Sequence, residues 1–421
     1  MAFYKYILAF SLLMAVSVLN SCATKSEKRL TIHTPEIYKI KVPVAGNYPQ
    51  GLYKYRFKAG YNSMETEIET FTQTLEWLPA VKKTFETDTK YTAILTLNPL
   101  AGYIFGEMGI NDIQGLPTTG VEEINIEIIN KNLVIKIIFE RTHAEKAAPQ
   151  IIFSDDFNGT SLDTSKWEPS PEWDTGGKTG RSTWKSDMVS VSGGYLHLRF
   201  MRDPELGSSK TNDSIRANNW IRSGAIVTNK QKWPHGTLFE NTYGFYEARV
   251  KVPAVKGTWG AFWLPSPTQN IFWEARGTES HVVESIKAEG KDGTEIDIFE
   301  SISNEKGRYN AALHWNGYGK FHKSVGTDDN LPLPASIYDG EFHTFALDWS
   351  SSEYVFYVDN VEFWRVDGGP EFNNSGINQN PNTIALSVEG AVWAGELPEN
   401  FTEDEMLVDY VKVWNQPQIN N

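Results

Sequence analysis

Glu295-Ile296-Asp297-Ile298-Phe299-Glu300 places three carboxylates in a β-branched and aromatic run that reads as a strand. Acids are scarce inside strands, because a half-buried ladder position strips water from them. Crowding like charges together should push at least one pKa upward. Structures accept that cost most readily where a site does acid–base work. In a plainly alternating strand Glu295, Asp297 and Phe299 face one way and Glu300 the other. One β-bulge after Asp297 would bring Glu300 onto the face of Glu295, and bulges are frequent beside active sites. The bland alternative is an exposed edge strand whose acids blunt aggregation. Ile296 and Ile298 alternate cleanly with the acids, which favours an inner strand with one apolar and one polar face.

The chain around this strand has 421 residues, enough for two domains and a leader. With 40% hydrophobic and 22% charged residues it can bury an ordinary soluble core. Acids outnumber bases, 53 to 39, for a net charge of −14, and that field repels phosphate backbones. Nucleic acid is therefore a poor partner, and a heavily sulfated substrate is mildly disfavoured. The single cysteine, Cys22, follows Lys5, an apolar stretch from Ile7 to Val18, and Leu19-Asn20-Ser21. This is the layout of a secretory leader with an apolar centre too short to span comfortably. It resembles a bacterial lipoprotein signal, which implies lipidation of Cys22 and attachment to the cell envelope, with the outer membrane expected. With no second cysteine, there is no internal disulfide and no thiolate metal site.

Residues 1–21 are read as the signal peptide and 22–30 as lipidated cysteine and tether. Residues 31–143 are read as a small all-β module. Tyr91–Leu97 is rich in strand formers and stops at Asn98-Pro99, and Glu123–Ile129 with Leu133–Phe139 forms a hairpin around Asn130-Lys131-Asn132. The module resembles an immunoglobulin-like β-sandwich, chiefly through Tyr91–Leu97 and Leu100–Phe105, and is expected to act as a spacer. Residues 144–150 are a linker, and 151–416 the second domain. There Tyr246, Ala248, Val250 and Val252 share an apolar face opposite Glu247, Arg249 and Lys251. Asp359-Asn360 is a two-residue hairpin turn. Many strands at regular spacing point to packed antiparallel sheets in a jelly roll, so the whole chain is expected to be all-β.

The second domain resembles glycoside hydrolase family 16, over nearly all of Ile151–Asn415. The resemblance rests on Phe153–Gly159 with Leu162-Asp163 and Trp167, on Tyr243–Arg249, on Trp259-Gly260-Ala261-Phe262-Trp263, and on Val408–Trp414. Its most specific part is Glu295-x-Asp297-x-x-Glu300. The resemblance implies a retaining, endo-acting glycosidase of concanavalin A-like jelly-roll fold. Glu295 would be nucleophile, Glu300 acid and base, and Asp297 their partner, the two Glu carboxylates lying roughly 5–5.5 Å apart. Trp220, Trp259, Trp263, His314, Trp315 and Trp393 are the candidate substrate-binding residues, since indole rings stack on the apolar faces of sugars. For Trp259 and Trp263 the sequence leaves core and cleft floor equally open. No cofactor is required; a structural calcium through Asp156 or Asp409 is permitted. A monomer acting on a polysaccharide is expected.

Family members of laminarinase type carry Trp-Pro and small residues before the first catalytic Glu; here the approach is Glu289-Gly290-Lys291-Asp292-Gly293-Thr294, after a long loop from Pro265. An endo-β-1,3- or β-1,3/1,4-glucanase is the first reading, and an endo-β-galactanase acting on agar-like, porphyran-like or mucin-type chains the second. A non-catalytic lectin is the rival from another class, against which the intact acids argue. Gly177-Lys178-Thr179 ends like a phosphate loop, but Glu172 stands where its first glycine belongs.

Overall fold

The structure, a computed structural model, describes residues 29–37, 40–51, 71–169, 182–202, 221–230, 236–266, 289–303, 308–317, 322–327, 336–390, 394–395 and 397–419. Cys22, Trp220 and Trp393 lie outside the described residues. Among those described, the chain is built from β-strands joined by turns and short 3₁₀ segments.

Two large sheets make the second domain. A seven-stranded sheet runs in the order Lys323–Gly326, Arg308–Trp315, Thr294–Ser303, Thr258–Leu264, Ala385–Gly390, Ala225–Val227 and Glu168–Pro169. A ten-stranded sheet has Gly244–Lys251 between His343–Trp349 and the long strand Glu403–Trp414. Their inner faces form one continuous core that includes Tyr246, Ala248, Val250, Phe262, Ile296, Ile298, Phe299, Phe345, Val408 and Val411. This is the sandwich anticipated from the alternating pattern; the far face of the ten-stranded sheet carries a smaller apolar cluster of Phe245, Ala346, Val355 and Tyr357. The Asp359-Asn360 turn has φ of +48° and +63°, which closes the hairpin with the twist its strands require.

The N-terminal region has its own core around Leu75, Trp77, Phe85, Tyr91, Leu95, Ile135 and Phe139. It is a four-stranded antiparallel sheet in the order Phe71–Leu78, Lys90–Pro99, Asn132–Arg141, Val121–Ile129, with a separate parallel pair Leu30–Ile32 and Tyr103–Phe105. A spacer would be expected to touch the next domain little, yet contacts are specific. Tyr48 hydroxyl donates to Asp348 Oδ1 at 2.7 Å, and Lys83 Nζ lies 2.7 Å from Asp348 Oδ2. Ser351 Oγ donates to the Val81 and Lys82 carbonyls, and Gln416 Nε2 to Asn47 Oδ1.

Candidate active site

The strand Thr294–Ser303 lies inside its sheet, paired on one side with Thr258–Leu264 and on the other with Arg308–Trp315. Its register slips between Asp297 and Glu300: Asp297 faces Ala312 and Glu300 faces Asn310, two positions matched against three. The same slip appears against the other neighbour, where Phe262 faces Phe299 and Trp263 faces Asp297. Ile298 is therefore the extra residue of a β-bulge. The consequence is visible in burial, since the consecutive residues Ile298 and Phe299 both enter the core. Phe299 stacks on Phe345 of the opposite sheet, ring centroids 3.9 Å apart, so the bulge is anchored by inter-sheet packing. Burying such a ring is worth about 1.5–3 kcal/mol. Glu300 then shares the polar face with Glu295 and Asp297.

Two further devices hold the strand. Asn382, wholly buried, donates from Nδ2 to the carbonyls of Leu264 and Thr294, each at 2.8 Å, tying the two strands together where the acid run begins. Gly260 N donates to Ser301 Oγ at 2.8 Å, and a Cβ at Gly260 would stand 2.9 Å from Met406 Sδ, so a side chain there would have to displace that methionine.

The three acids sit in different surroundings. Glu300, 8% exposed, accepts from Trp259 Nε1 at 3.1 Å on one oxygen and from Asn310 Nδ2 at 2.9 Å on the other. Burial, then repulsion from Asp297, pushes its pKa up to about 7, against the pull of His314, Asn310 and Trp259. Asp297, 5% exposed, is pushed up to about 8 by burial. His314 Nε2 lies 3.3 Å from Asp297 Oδ2, and His314 Nδ1 lies 3.0 Å from His322 Nε2. Burial and the neighbouring His314 push His322 down to about 4, leaving it neutral near pH 7. His314 thus bridges the two, sharing one hydrogen with His322 through Nδ1 and facing Asp297 Oδ2 through Nε2. Ligand atoms of Glu295, Asp297 and His314 lie within 4.8 Å of one another. That convergence would admit a cation, although three donors fall short of the four that close a structural zinc site.

Among the remaining candidates, Trp259 is on the acid face and bonded to Glu300. Trp263 is partly buried on the same face and donates to Ser387 Oγ at 3.1 Å. Trp315 must be corrected: it is 1% exposed and packs edge-on against Phe372 at 4.4 Å, within the core. Strand alternation sends it to the face opposite His314. Asp409 is held by Arg249 Nη1 at 2.5 Å, so its charge is already matched, and Asp156 accepts from the backbone N–H of Asn158.

A residue the sequence reading missed is Glu389. It lies opposite Trp259 in the ladder, is 7% exposed, and its pKa is pushed up to about 8 by burial first, then by Glu300 and Glu295. The available signal was weak, a lone acid in Ala385-Leu386-Ser387-Val388-Glu389-Gly390.

The chain is similar to several known proteins. The chain is 27% identical over 295 residues to a glucan endo-1,3-beta-glucosidase A1 of Niallia circulans, covering 64% of this chain and 38% of that protein. It is 22% identical over 285 residues to a beta-glucanase of Rhodothermus marinus, covering 63% of this chain and 85% of that one. The crystal structure of LamAcat from Zobellia galactanivorans, at 24% identity, covers 63% of this chain and 97% of that one with a TM-score of 0.47. The family model described as "Beta-porphyranase A-D, GH16 domain" matches residues 149–416, well over half of the chain, and the protein belongs to that family.

Proposed function

We propose that this chain is a retaining, endo-acting glycoside hydrolase that cleaves internal β-linkages of a polysaccharide. The observation that carries this reading is the bulge at Ile298, which collects Glu295, Asp297 and Glu300 on one face and leaves Glu300 a pKa of about 7. Glu300, protonated, gives its proton to the glycosidic oxygen as Glu295 attacks the anomeric carbon, forming a glycosyl ester and freeing the leaving chain. Glu300, now a carboxylate, takes a proton from water, whose oxygen attacks the anomeric carbon and releases Glu295. Asp297, between the two glutamates and with its pKa raised by burial, can share a proton with Glu295, which favours the ionised nucleophile. The test is Glu300→Gln, expected to lower hydrolysis of polymer by about 10³-fold, combined with NMR of the first product released by the unaltered enzyme. Full activity of the variant, or an inverted first anomer, overturns the roles.

The first substrate reading is a β-1,3- or β-1,3/1,4-glucan, supported by the glucanase relatives. The family match favours a second, an endo-β-galactanase. Sizing the products from laminarin, lichenan, agarose, porphyran and mucin glycans decides between them. The leader pattern supports lipid attachment at Cys22 and residence in the cell envelope, tested by radiolabelled palmitate incorporation into the unaltered chain and into Cys22→Ala. The N-terminal region is read as an immunoglobulin-like module fixed to the catalytic sandwich through Asp348.

A further inference from the structure

A cavity of about 170 Å³ lies at the seam between the N-terminal region and the catalytic sandwich. Asn47 and Gln50 line it from one side, Asn241 and Asn415 from the other. Its walls are fixed by hydrogen bonds: Tyr48 N donates to the Asn415 carbonyl at 2.9 Å, and Lys41 N to Gln50 Oε1 at 2.8 Å. The three asparagines each have one end of the amide tied and the other left over. Asn415 Oδ1 accepts from Gln150 N at 2.9 Å, which leaves its Nδ2 without a partner among the described residues. Asn47 Oδ1 accepts from Gln416 Nε2 at 2.8 Å, leaving a second spare donor. Asn241 Nδ2 donates to the Tyr243 carbonyl at 2.5 Å, leaving Oδ1 as a spare acceptor. Tyr243, also on the wall, has φ of +60°, a costly conformation for a bulky residue that persists only where its surroundings impose it. Val42 and Ile152, 36% and 38% exposed, mark where the cavity opens to solvent.

We propose that this seam cavity is a second carbohydrate-binding site, which takes one neutral sugar ring and is separate from the catalytic acids. A cavity of about 150 Å³ accepts one six-membered ring. The space here therefore suits a single pyranose, with any further sugars leaving between Val42 and Ile152. Spare amide donors and an acceptor on a fixed wall match ring hydroxyls, which both donate and accept. The aliphatic mouth matches the apolar edge of the ring. Charged ligands fit less well. Among the described residues no carboxylate lines the cavity, so a metal ion finds no anionic donor. Lys41 is the one charged residue on the wall and is exposed to water, where salt screens its pull on an anion. Seams between domains are also where small-molecule sites concentrate. None of Glu295, Asp297 and Glu300 lines the cavity, so the inference goes beyond the glycosidase reading and stands without it.

The experiment runs the full chain carrying Glu300→Gln, slowed in cleavage, through native gels that contain each polysaccharide of the panel. Alongside it run the same chain with Ile152→Trp or Val42→Trp, two exposed positions where an indole fills the mouth, and with Ile152→Ala, which widens it. Expected is at least one polysaccharide for which both plugs weaken retention about 10-fold or more, the loss of one of two linked sites. Ile152→Ala should stay within about 3-fold, which separates a blocked mouth from a disturbed fold. Saturation-transfer NMR with the free monosaccharide and tetrasaccharide of that polysaccharide separates the sources of the sugar. A monosaccharide signal that the plugs remove makes a released sugar the ligand; a plug-sensitive signal from the tetrasaccharide alone makes it a chain end, and either supports the proposal. Equal retention with and without the plugs on every polysaccharide, with no NMR signal that they remove, overturns it and leaves a water-filled seam. So does plug-sensitive binding of inorganic sulfate in place of every sugar. Hydrolysis by the unaltered chain is read separately. If it cleaves the panel while the plugs change nothing, only the present inference fails; if it cleaves nothing while the plugs abolish retention, the glycosidase reading falls and this one stands.

Discussion

Strand Gly244–Lys251 sends Tyr246, Ala248 and Val250 into the core and leaves Glu247, Arg249 and Lys251 on the far side of its sheet. Strand Thr294–Ser303 does the same with Ile296, Ile298 and Phe299 against Glu295, Asp297 and Glu300. Both are bulged, the first through Asp409 on its partner strand and the second through Ile298. The difference lies in the company the charges keep. Glu247 accepts from Tyr410 hydroxyl at 2.8 Å, and Arg249 pairs with Asp409 and lies over the Phe342 ring. On the other sheet three acids crowd one face, and burial, joined at Glu300 by repulsion from Asp297, pushes the pKa values of Asp297 and Glu300 into the neutral range. Pattern alone identifies a strand; unmatched like charge in a dry place identifies a working one.

The largest test of this contrast is to remove the acid that the buried strand supplies. Glu300→Gln should lower kcat by about 10³-fold, within the usual range for a lost general acid. The fold should be kept, checked by an unchanged circular dichroism spectrum. A substitution of Glu247→Gln on the other sheet should leave kcat within a factor of about two, since that acid only bonds a tyrosine.

Burial of an acid is not enough by itself, as Asp348 shows. At 1% exposure it is the most enclosed partner in the contact between the N-terminal region and the sandwich, met by Lys83 and Tyr48. Its function is adhesion. Lys83→Met should cost about 3 kcal/mol of stability, because it leaves a buried carboxylate without its cation. The kcat of the folded fraction should be unchanged. Urea denaturation of the full chain measures the first and steady-state rates the second. A loss below about 0.5 kcal/mol would mean that the ion pair is only a surface contact.

These cases show which features were legible in the sequence. The acid run, its bulge and the positive-φ turn at Asp359-Asn360 depend on neighbours within a few residues, so local pattern carries them. Trp315 was misread by proximity to His314, although alternation places adjacent strand residues on opposite faces. Glu389 reaches the site across two strand boundaries, and Lys83 meets Asp348 across two separate cores. Such pairings exist only after the sheets form. A lone acid in a Val-Glu-Gly segment, or a lysine in a loop, gives no sign of them.

The pH dependence offers a finer comparison, because the groups touching Glu300 pull in opposite directions. Glu300 must be protonated to act as acid, so activity should fall as pH rises through about 7. Asp297 pushes the value up, so Asp297→Asn should move this basic limb to lower pH. Asn310 and Trp259 pull it down, so Asn310→Ala and Trp259→Phe should move the limb to higher pH. Profiles of kcat/KM measure all three, and shifts of one common sign would break the electrostatic account. Stability should follow the same groups. A carboxyl with a raised native pKa contributes stability that is fully present below its unfolded value near 4. That contribution is lost as pH climbs through about 7 for Glu300 and about 8 for Asp297.

The smallest effect is expected where charges are matched and wet. Arg249 Nη1 lies 2.5 Å from Asp409 Oδ2, with both side chains about a third exposed, 38% and 31%. Water screens such a pair, and holding two side chains in one geometry costs entropy, so the net gain is small. Arg249→Met should therefore change stability by no more than about 1 kcal/mol, part of it the lost contact with Phe342. Asp409→Asn alone, and the two changes together, complete a double-mutant cycle whose coupling should stay below about 1 kcal/mol and shrink further in high salt. A coupling of about 3 kcal/mol would place this pair with Lys83 and Asp348 as a structural clamp. The contrast between the two strands would then be one of charge sign alone, with burial contributing nothing to it.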